Sequence, residues 1–503
     1  MRFFFDRVRL LDGRGGEAVT ASLLTEGDRI AAVGDLPPPP ADAVRIAGEG
    51  LTLAPGFIDA HGHSDLSLAA SPGGFGKIAQ GITCEISGNC GLSPFPLTDR
   101  NRPHLADLYR AYGVPLTWND LAGYRAMLAE RGVVLPLLPL CGHNTLRAAV
   151  AGYEKTRLLP EERRQMARLL EGSLEAGARG LSFGLLYVPG CFAPPEEWRE
   201  LMKIVARHDR IAAFHLRSEG DELVEALRET IDSARAAGLA RLHISHLKTA
   251  GRANWHKLDE VLALIDSARA AGLRVTCDRY PYCASATQFS VIAPGRFRDM
   301  DDSRLAVELQ SPAVFDELVA ALAASGRDWE AVLLASTAAP EWRPSCGRTV
   351  AEIADEHHQQ PALTAAEILR ADPLSATGAF CGMSPENLRR ILSLPYCCCG
   401  TDESARPQDE SIGRSHPRGF GSMPRFFRSL LAMGASEGEA VRRMTSLPAS
   451  IFQLPDRGTL APGLRADLVL FDPAAFDSPA TFTTPHLPAT GLSGVWIAGS
   501  RVF

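Results

Sequence analysis

ELVEALRETIDSARAAGLARLHISHLK, residues 222–248, reads as a helix that runs into a short strand. Leu223, Val224, Leu227 and Ile231 recur at three-to-four spacing, Gly238 closes the helix, and the apolar stretch from Arg241 follows at once. The same unit appears on either side. LPEERRQMARLLEGSLEAGARG (159–180) leads into LSFGLLY (181–187), EEWRELMKIVARHDR (196–210) into IAAFHLRSEGD (211–221), and WHKLDEVLALIDSARAAGL (255–273) into RVTCDRYPY (274–282). A strand, a crossover helix and a further parallel strand in regular succession give a parallel sheet, and so many units favour a closed (β/α)₈ barrel of the TIM type. A doubly wound sheet loses weight because no glycine-rich phosphate loop follows the first strand of this region.

The two ends differ from the middle. FFFDRVRLLDG (3–13) and ASLLTEGDRIAAVG (21–34) read as strands joined by turns, as do GLRADLVLFDP (463–473) and GVWIAGSRVF (494–503). The expected division is therefore 1–54, 55–440 and 441–503, with the barrel in the middle segment and an insertion or lid within 284–395. In that insertion AEIADEHHQQ (351–360) and SPENLRRILSLP (384–395) read as helices, with His357 and His358 exposed.

With 503 residues and a formal net charge of −7, and with no basic run among its scattered arginines, the chain is not expected to bind nucleic acid. No apolar stretch is long enough for a signal-peptide core or a membrane span, so a cytoplasmic protein without membrane partners is expected. Eleven cysteines, three of them consecutive at 397–399, suit reduced thiols better than a disulfide framework.

Polar residues gather where the strands end, the position of the active site in such a barrel. His61 and His63 close GFIDAHGHSDLSL (56–68). Cys90 follows in GITCEISGNCG (81–91), Tyr187 ends GLSFGLLY, and His215 follows IAAF. RLHISHLK carries His243, His246 and Lys248; RVTCDRYPY carries Asp278, Tyr280 and Tyr282; YCCCGTDES (396–404) carries Asp402. Taken singly, His215 is a core histidine, Cys90 a buried thiol and Asp402 a helix cap. Together they are costly to bury unless they share a partner, and a cation is the natural one. On regular alternation Asp59, His61 and His63 share one face, and Ile244, His246 and Lys248 share the face of the strand end, leaving His243 on the other side against a helix. His246 is accordingly chosen as ligand over His243. Imidazole, thiolate and carboxylate together suit zinc, which lowers the pKa of a bound water to about 7. Asp402 fits the proton-handling role in amide hydrolysis, as general base and then acid.

These residues occur in an ordered set of motifs: PGFIDAHGH (55–63), GNCG (88–91), GHNTLR (142–147), GLLYVPG (184–190), ISHLK (244–248), DRYPY (278–282), HPRGFGSMPRF (416–426) and GTLAPGLRADLVLFDP (458–473). In them the sequence resembles the amidohydrolase superfamily and, within it, is similar to the D-aminoacylase or N-acyl-D-amino-acid deacylase group. The resemblance implies that the β-rich ends pair into a small sandwich beside the barrel. It implies metal ligands at His61, His63, Cys90, His215, His246 and Asp402, with one zinc held tightly by Cys90, His215 and His246 and a second, weak position. Cys90 would take the bridging place that many superfamily members give to a carboxylated lysine, and no lysine stands between Lys155 and Lys203, where that residue would lie. Arg418 is expected to bind the α-carboxylate of a small N-acyl amino acid substrate, assisted by Lys248 and Tyr280, with Tyr187 beside the scissile carbonyl.

Two departures stand out: Ala286 precedes Thr287 where relatives usually carry serine, and TDES replaces the commoner SDG, adding Glu403 beside Asp402. The competing readings are a cyclic-amide hydrolase of the hydantoinase or dihydroorotase kind, a dipeptide hydrolase, and a ligand-free superfamily scaffold without catalysis. The missing lysine and the presence of Arg418 oppose the first, and the complete ligand set opposes the last.

Overall fold

The computed structural model describes residues 1–300 and 302–503. Its centre is a ring of eight parallel strands: β1 (Phe57–Asp59), β2 (Ile82–Glu85), β3 (Cys141–Gly142), β4 (Gly180–Gly184), β5 (Ile211–His215), β6 (Arg241–Ile244), β7 (Arg274–Arg279) and β8 (Cys397–Cys399). Neighbours pair in sequence order from β3 to β8, and β1 pairs with β2. Two sets of backbone bonds close the ring. Glu85 N donates to Pro136 O and Leu138 N to Glu85 O, which joins β2 to the segment entering β3, and Ala60 N donates to Cys399 O at 3.1 Å, which joins β1 to β8. Closure leaves no open edge.

Alternation along the strands sorts the side chains. Ile58, Ala60, Cys84, Ile86, Leu140, Ile211, Ala213 and Cys398 form one buried cluster in the lumen, which Phe452 and Leu454 stopper from below. Leu181, Phe183, Ala212, Phe214, Leu242, Ile244, Val275, Cys277, Cys397 and Cys399 face outward and belong to the larger cluster shared with the helices. The helix Pro160–Glu175 shows why these elements form. Pro160 opens it, the Glu162 carboxylate accepts from Leu159 N at 2.7 Å, and Met166, Leu170 and Leu174 line the buried stripe. Each such side chain contributes roughly 1.5–3 kcal/mol on burial. The helices Leu223–Ala236 and Leu258–Ala270 stop at Gly238 and Gly272, whose φ values of 69° and 92° only glycine adopts at low cost.

The chain ends form the smaller β unit. The strands Phe3–Leu10, Val19–Glu26, Arg29–Gly34, Val44–Ala47 and Thr52–Pro55 join Leu468–Phe471, Leu492–Ile497 and Ser500–Arg501 in one hydrogen-bonded sheet. The two ends meet where Thr52–Pro55 runs antiparallel to Leu468–Phe471. Phe5 packs edge-on against Trp496 with ring centres 4.8 Å apart, inside a core that includes Val8, Leu23 and Leu53. This unit also sets the entry of the barrel, since Gly56 N donates to Asp467 O at 2.8 Å just before β1 begins.

Between β7 and β8 the chain builds a compact insertion. Ser285–Gln288, Thr377–Phe380 and Val332–Ser336 form a three-stranded antiparallel sheet in that spatial order. Phe289, Leu318, Leu334, Ile353 and Ile368 give it a core of its own. The expected helices are present at Val350–Glu356 and Pro385–Ser393. The second is part of the barrel layer rather than the insertion, because Ile391 and Leu392 lie in the main core. His357 and His358 are exposed.

Candidate active site

Three residues at the C-terminal rim share an uncommon backbone. Cys90, His246 and Asp402 have φ of 52°, 36° and 52°. A left-handed conformation in a residue other than glycine costs about 1–3 kcal/mol and persists only where the surroundings impose it. At Cys90 the cause is visible. Asn144 donates to Gly184 O at 3.0 Å, and a Cβ on Gly184 would lie 2.0 Å from Cys90 O, so the turns bearing Cys90, Asn144 and Tyr187 interlock at backbone distance.

The side chains converge above the lumen. One donor atom each from His61, Cys90, His246 and Asp402 lies within 4.8 Å of all the others. Cys90 Sγ stands 3.3 Å from His61 Nε2 and 3.4 Å from His246 Nε2. Asp402 Oδ1 lies 3.1 Å from His63 Nε2 and 3.5 Å from His61 Nε2. His215 falls into a second group with Glu219 and His246, and its ring centre is 4.6 Å from that of His246. Among the described residues neither ring nitrogen of His215 has a hydrogen-bond partner, although the side chain is buried.

Charge favours a cation here. Burial pushes the Cys90 thiol up, but His61 and His246 outweigh it and hold the group well below the usual thiol range, as a thiolate. Burial likewise disfavours charge on the imidazoles, yet Asp402 and Cys90 lift His63 to about 10, and His246 is lifted to about 9, with Glu219, Asp402 and Cys90 raising it. Asp402, opposed by burial, is held well below the ordinary carboxylate range by Arg418, His246 and His63. The cluster thus gathers a thiolate and a carboxylate against imidazoles, a concentration of negative charge that a cation would balance. Sulfur, nitrogen and carboxylate oxygen in one sphere fit a zinc ion.

The residues expected near a substrate have partners of their own. Arg418, at the head of the helix Arg418–Ala432, is buried and donates through Nη1 to Asp402 Oδ2 at 2.7 Å and through Nη2 to Ala286 O at 3.3 Å. Tyr280 is buried with no partner for its hydroxyl among the described residues, and the guanidinium groups of Arg279 and Arg418 lie over its ring, 3.9 and 4.6 Å from the ring centre. Burial would raise this phenol, but Arg279, Lys248 and Arg418 bring it below its ordinary value. Tyr187 packs beside His215 with ring centres 4.8 Å apart. Lys248 donates to Glu219 Oε1 at 2.5 Å and lies 2.8 Å from His246 Nδ1. Glu219 was not among the expected site residues. It follows His215 by four positions in HLRSEGD, and this carboxylate on a strand-end turn was the available signal. Glu403 faces Arg418 and accepts from His416 N rather than reaching the cluster.

At RLHISHLK the side chains do not follow the alternation expected from the sequence. His243 does not lie against an outer helix but inside the barrel, where it bonds Asp278 Oδ2 at 2.8 Å and Thr276 Oγ1 at 2.8 Å above Phe452. Ile244 is the residue that faces the helices. His246 reaches the cluster because β6 ends at Ile244 and the backbone then turns through positive φ. Asp278 ties these groups together: it also lies 3.2 Å from His61 Nδ1 and accepts from His246 N at 3.0 Å. Strand β4 ends at Gly184 and carries no lysine, so no carbamate can form there.

A sequence model of the amidohydrolase family matches residues 46–386 and 433–503. The chain belongs to that family. This amidohydrolase is 36% identical over 503 residues to an N-acyl-D-glutamate deacylase of Alcaligenes xylosoxydans xylosoxydans, covering 98% of this chain and 92% of that one. It is 35% identical over 497 residues to a D-aminoacylase of the same organism, covering 98% and 93%. Among solved structures, an N-acyl-D-glutamate deacylase from Bordetella bronchiseptica, complexed with zinc and a phosphonate mimic of the tetrahedral intermediate, superposes with a TM-score of 0.82 at 31% identity over 100% of this chain and 96% of that one. Within this amidohydrolase no helix among the described residues is long and apolar enough to cross a membrane.

Proposed function

We propose that this amidohydrolase is a zinc-dependent deacylase of N-acyl-D-amino acids that releases a carboxylate and a free D-amino acid. The observation that carries the reading is the convergence of His61, Cys90, His246 and Asp402 within 4.8 Å, in a chain whose full-length relatives are named for this chemistry. As the resemblance implies, Cys90, His215 and His246 would hold the tight zinc, and His61, His63 and Asp402 would form the second, weaker position. Bound zinc supplies a Lewis acid and a nucleophilic water at neutral pH.

The protein's own groups do the rest. Asp402, kept ionised by Arg418, takes a proton from the attacking water and passes it to the amide nitrogen as the C–N bond breaks. Tyr187 donates a hydrogen bond to the scissile carbonyl. Arg418 receives the α-carboxylate; its Nε is buried without a hydrogen-bond partner, so its donors are not all committed. Lys248 and Tyr280 complete that subsite, and a guanidinium fork suits a carboxylate. The residues 55–440 carry the chemistry, the segments 1–54 and 441–503 frame it, and the insertion within 284–395 covers the site. We place the protein in the cytoplasm, where eleven cysteines, three of them consecutive, suit reduced thiols.

The test is the release of free amino acid from paired N-acetyl-D and N-acetyl-L substrates bearing Met, Leu, Phe, Glu and Asp side chains. Release from D forms alone, abolished in Asp402→Ala, is expected. Zinc-loaded protein that leaves every pair intact would sink the proposal.

A further inference from the structure

Two of the five lysines are buried, and both lie at the site. Lys248 was expected there. Lys77, in the short helix Phe75–Ile78 that follows β1, was not, yet it has no solvent exposure at all. A buried ammonium is tolerated only with close partners. Its Nζ lies 2.6 Å from Asp59 Oδ2, 2.6 Å from Thr401 Oγ1, 2.8 Å from Glu403 O and 2.9 Å from Glu85 Oε2. Burial disfavours the charge, but Asp59 and Glu85 outweigh it and keep the lysine protonated.

Each of these partners holds a segment that bears a cluster residue. Asp59 Oδ1 accepts from Thr401 N at 2.8 Å and from His61 N at 3.2 Å. Glu85 accepts from Ser64 N at 2.9 Å and from Ser64 Oγ at 2.6 Å, and Ser64 Oγ in turn accepts from Ala405 N. The two segments are also laced directly, by Asp402 N to His61 O at 2.7 Å and His63 N to Glu403 O at 3.1 Å. Residues 61–64 and 401–405 therefore form one paired unit, and Lys77 is the charge beneath it that both halves share.

We propose that Lys77 is a positioning residue, whose ammonium fixes the His61–His63 segment against the Asp402 segment so that imidazoles and carboxylate meet on one side of the candidate ligand cluster. Lys77 touches none of the donor atoms and acts through Asp59, Glu85 and Thr401. The inference rests on the deacylase reading for its kinetic consequence but not for its effect on a bound ion.

The test compares wild type, Lys77→Met, Thr401→Val and a stability control, Leu170→Ala, which thins the helix Pro160–Glu175 away from the site. Lys77→Met is expected to lose about 100-fold in kcat, the scale of an ångström-sized misplacement, with KM changed by less than about threefold. Thr401→Val shifts in the same direction by less, while Leu170→Ala keeps kcat despite a lowered Tm. With cobalt(II) as the probe ion, the d–d absorption bands of Lys77→Met and Thr401→Val are expected to differ from those of wild type and Leu170→Ala. A folded Lys77→Met with wild-type kcat and wild-type cobalt bands would overturn the inference. So would equal losses in Leu170→Ala. If Lys77→Met does not fold, Thr401→Val decides by the same two readings. Wild-type protein inactive on every N-acyl-D-amino acid would overturn the deacylase reading alone, and the cobalt bands would still judge Lys77.

Discussion

Arg418 and Asp402 form a buried ion pair at the mouth of the barrel, with Nη1 2.7 Å from Oδ2, and this pair joins the expected substrate subsite to the expected proton carrier. Replacing Arg418 with methionine keeps much of the volume and removes the charge. A charge-assisted bond of this kind contributes roughly 1.5–3 kcal/mol, so kcat/KM on an N-acyl-D-amino acid should fall about 10-fold to 150-fold. A variant as active as wild type would remove Arg418 from the site.

Cys90→Ala removes the thiolate that faces His61 and His246. Zinc retained after dialysis, measured by atomic emission, should fall from one ion per chain to a small fraction, with far-UV circular dichroism unchanged. Stoichiometric zinc in the variant would show that sulfur is not a ligand.

His243 and His246 separate in the same assay. His246→Ala is expected to lose zinc, whereas His243→Ala should keep it and instead lower Tm, because Asp278 loses one of its partners. The reverse pattern would restore His243 as the ligand.

Gly184→Ala places a methyl group 2.0 Å from Cys90 O. The clash is with backbone and cannot be relieved by a rotamer change. A loss of about 2–3 kcal/mol in unfolding free energy is expected, together with weakened zinc binding. Urea denaturation gives the first quantity, and an unchanged midpoint would contradict the contact.

Glu197 is buried against His143 and Arg147, which together outweigh burial and lower its carboxyl from the ordinary 4.5. A depressed folded pKa adds stability that is present above the unfolded value and lost as pH falls through the folded one. Wild type should therefore exceed Glu197→Gln at about pH 5, and the margin should shrink progressively below pH 4.5. A margin independent of pH down to 3 would exclude ionised Glu197 as its source.

The middle of the sequence was legible because its helices carry three-to-four apolar stripes and end at glycines, so four consecutive βα units could be placed within a few residues. Strand β3 was not, being only Cys141–Gly142, too short for any periodicity. Converging residues at strand ends could be picked out because His, Cys and Asp are costly to bury. What alternation could not supply was the backbone at His246, where a positive φ replaces the strand geometry on which the rule depends. Lys77 and Glu219 escaped notice because an isolated charge in FGKIAQ or LRSEGD looks like surface until its partners, distant in sequence, close over it.

The most direct test of the central claim is to titrate zinc into metal-free protein while following the release of D-amino acid from an N-acetyl-D substrate. Activity should rise from zero to a plateau at one zinc per chain, and Cys90→Ala should stay inactive throughout. Turnover in the metal-free protein, or a Cys90→Ala variant that reaches the wild-type plateau, would contradict it.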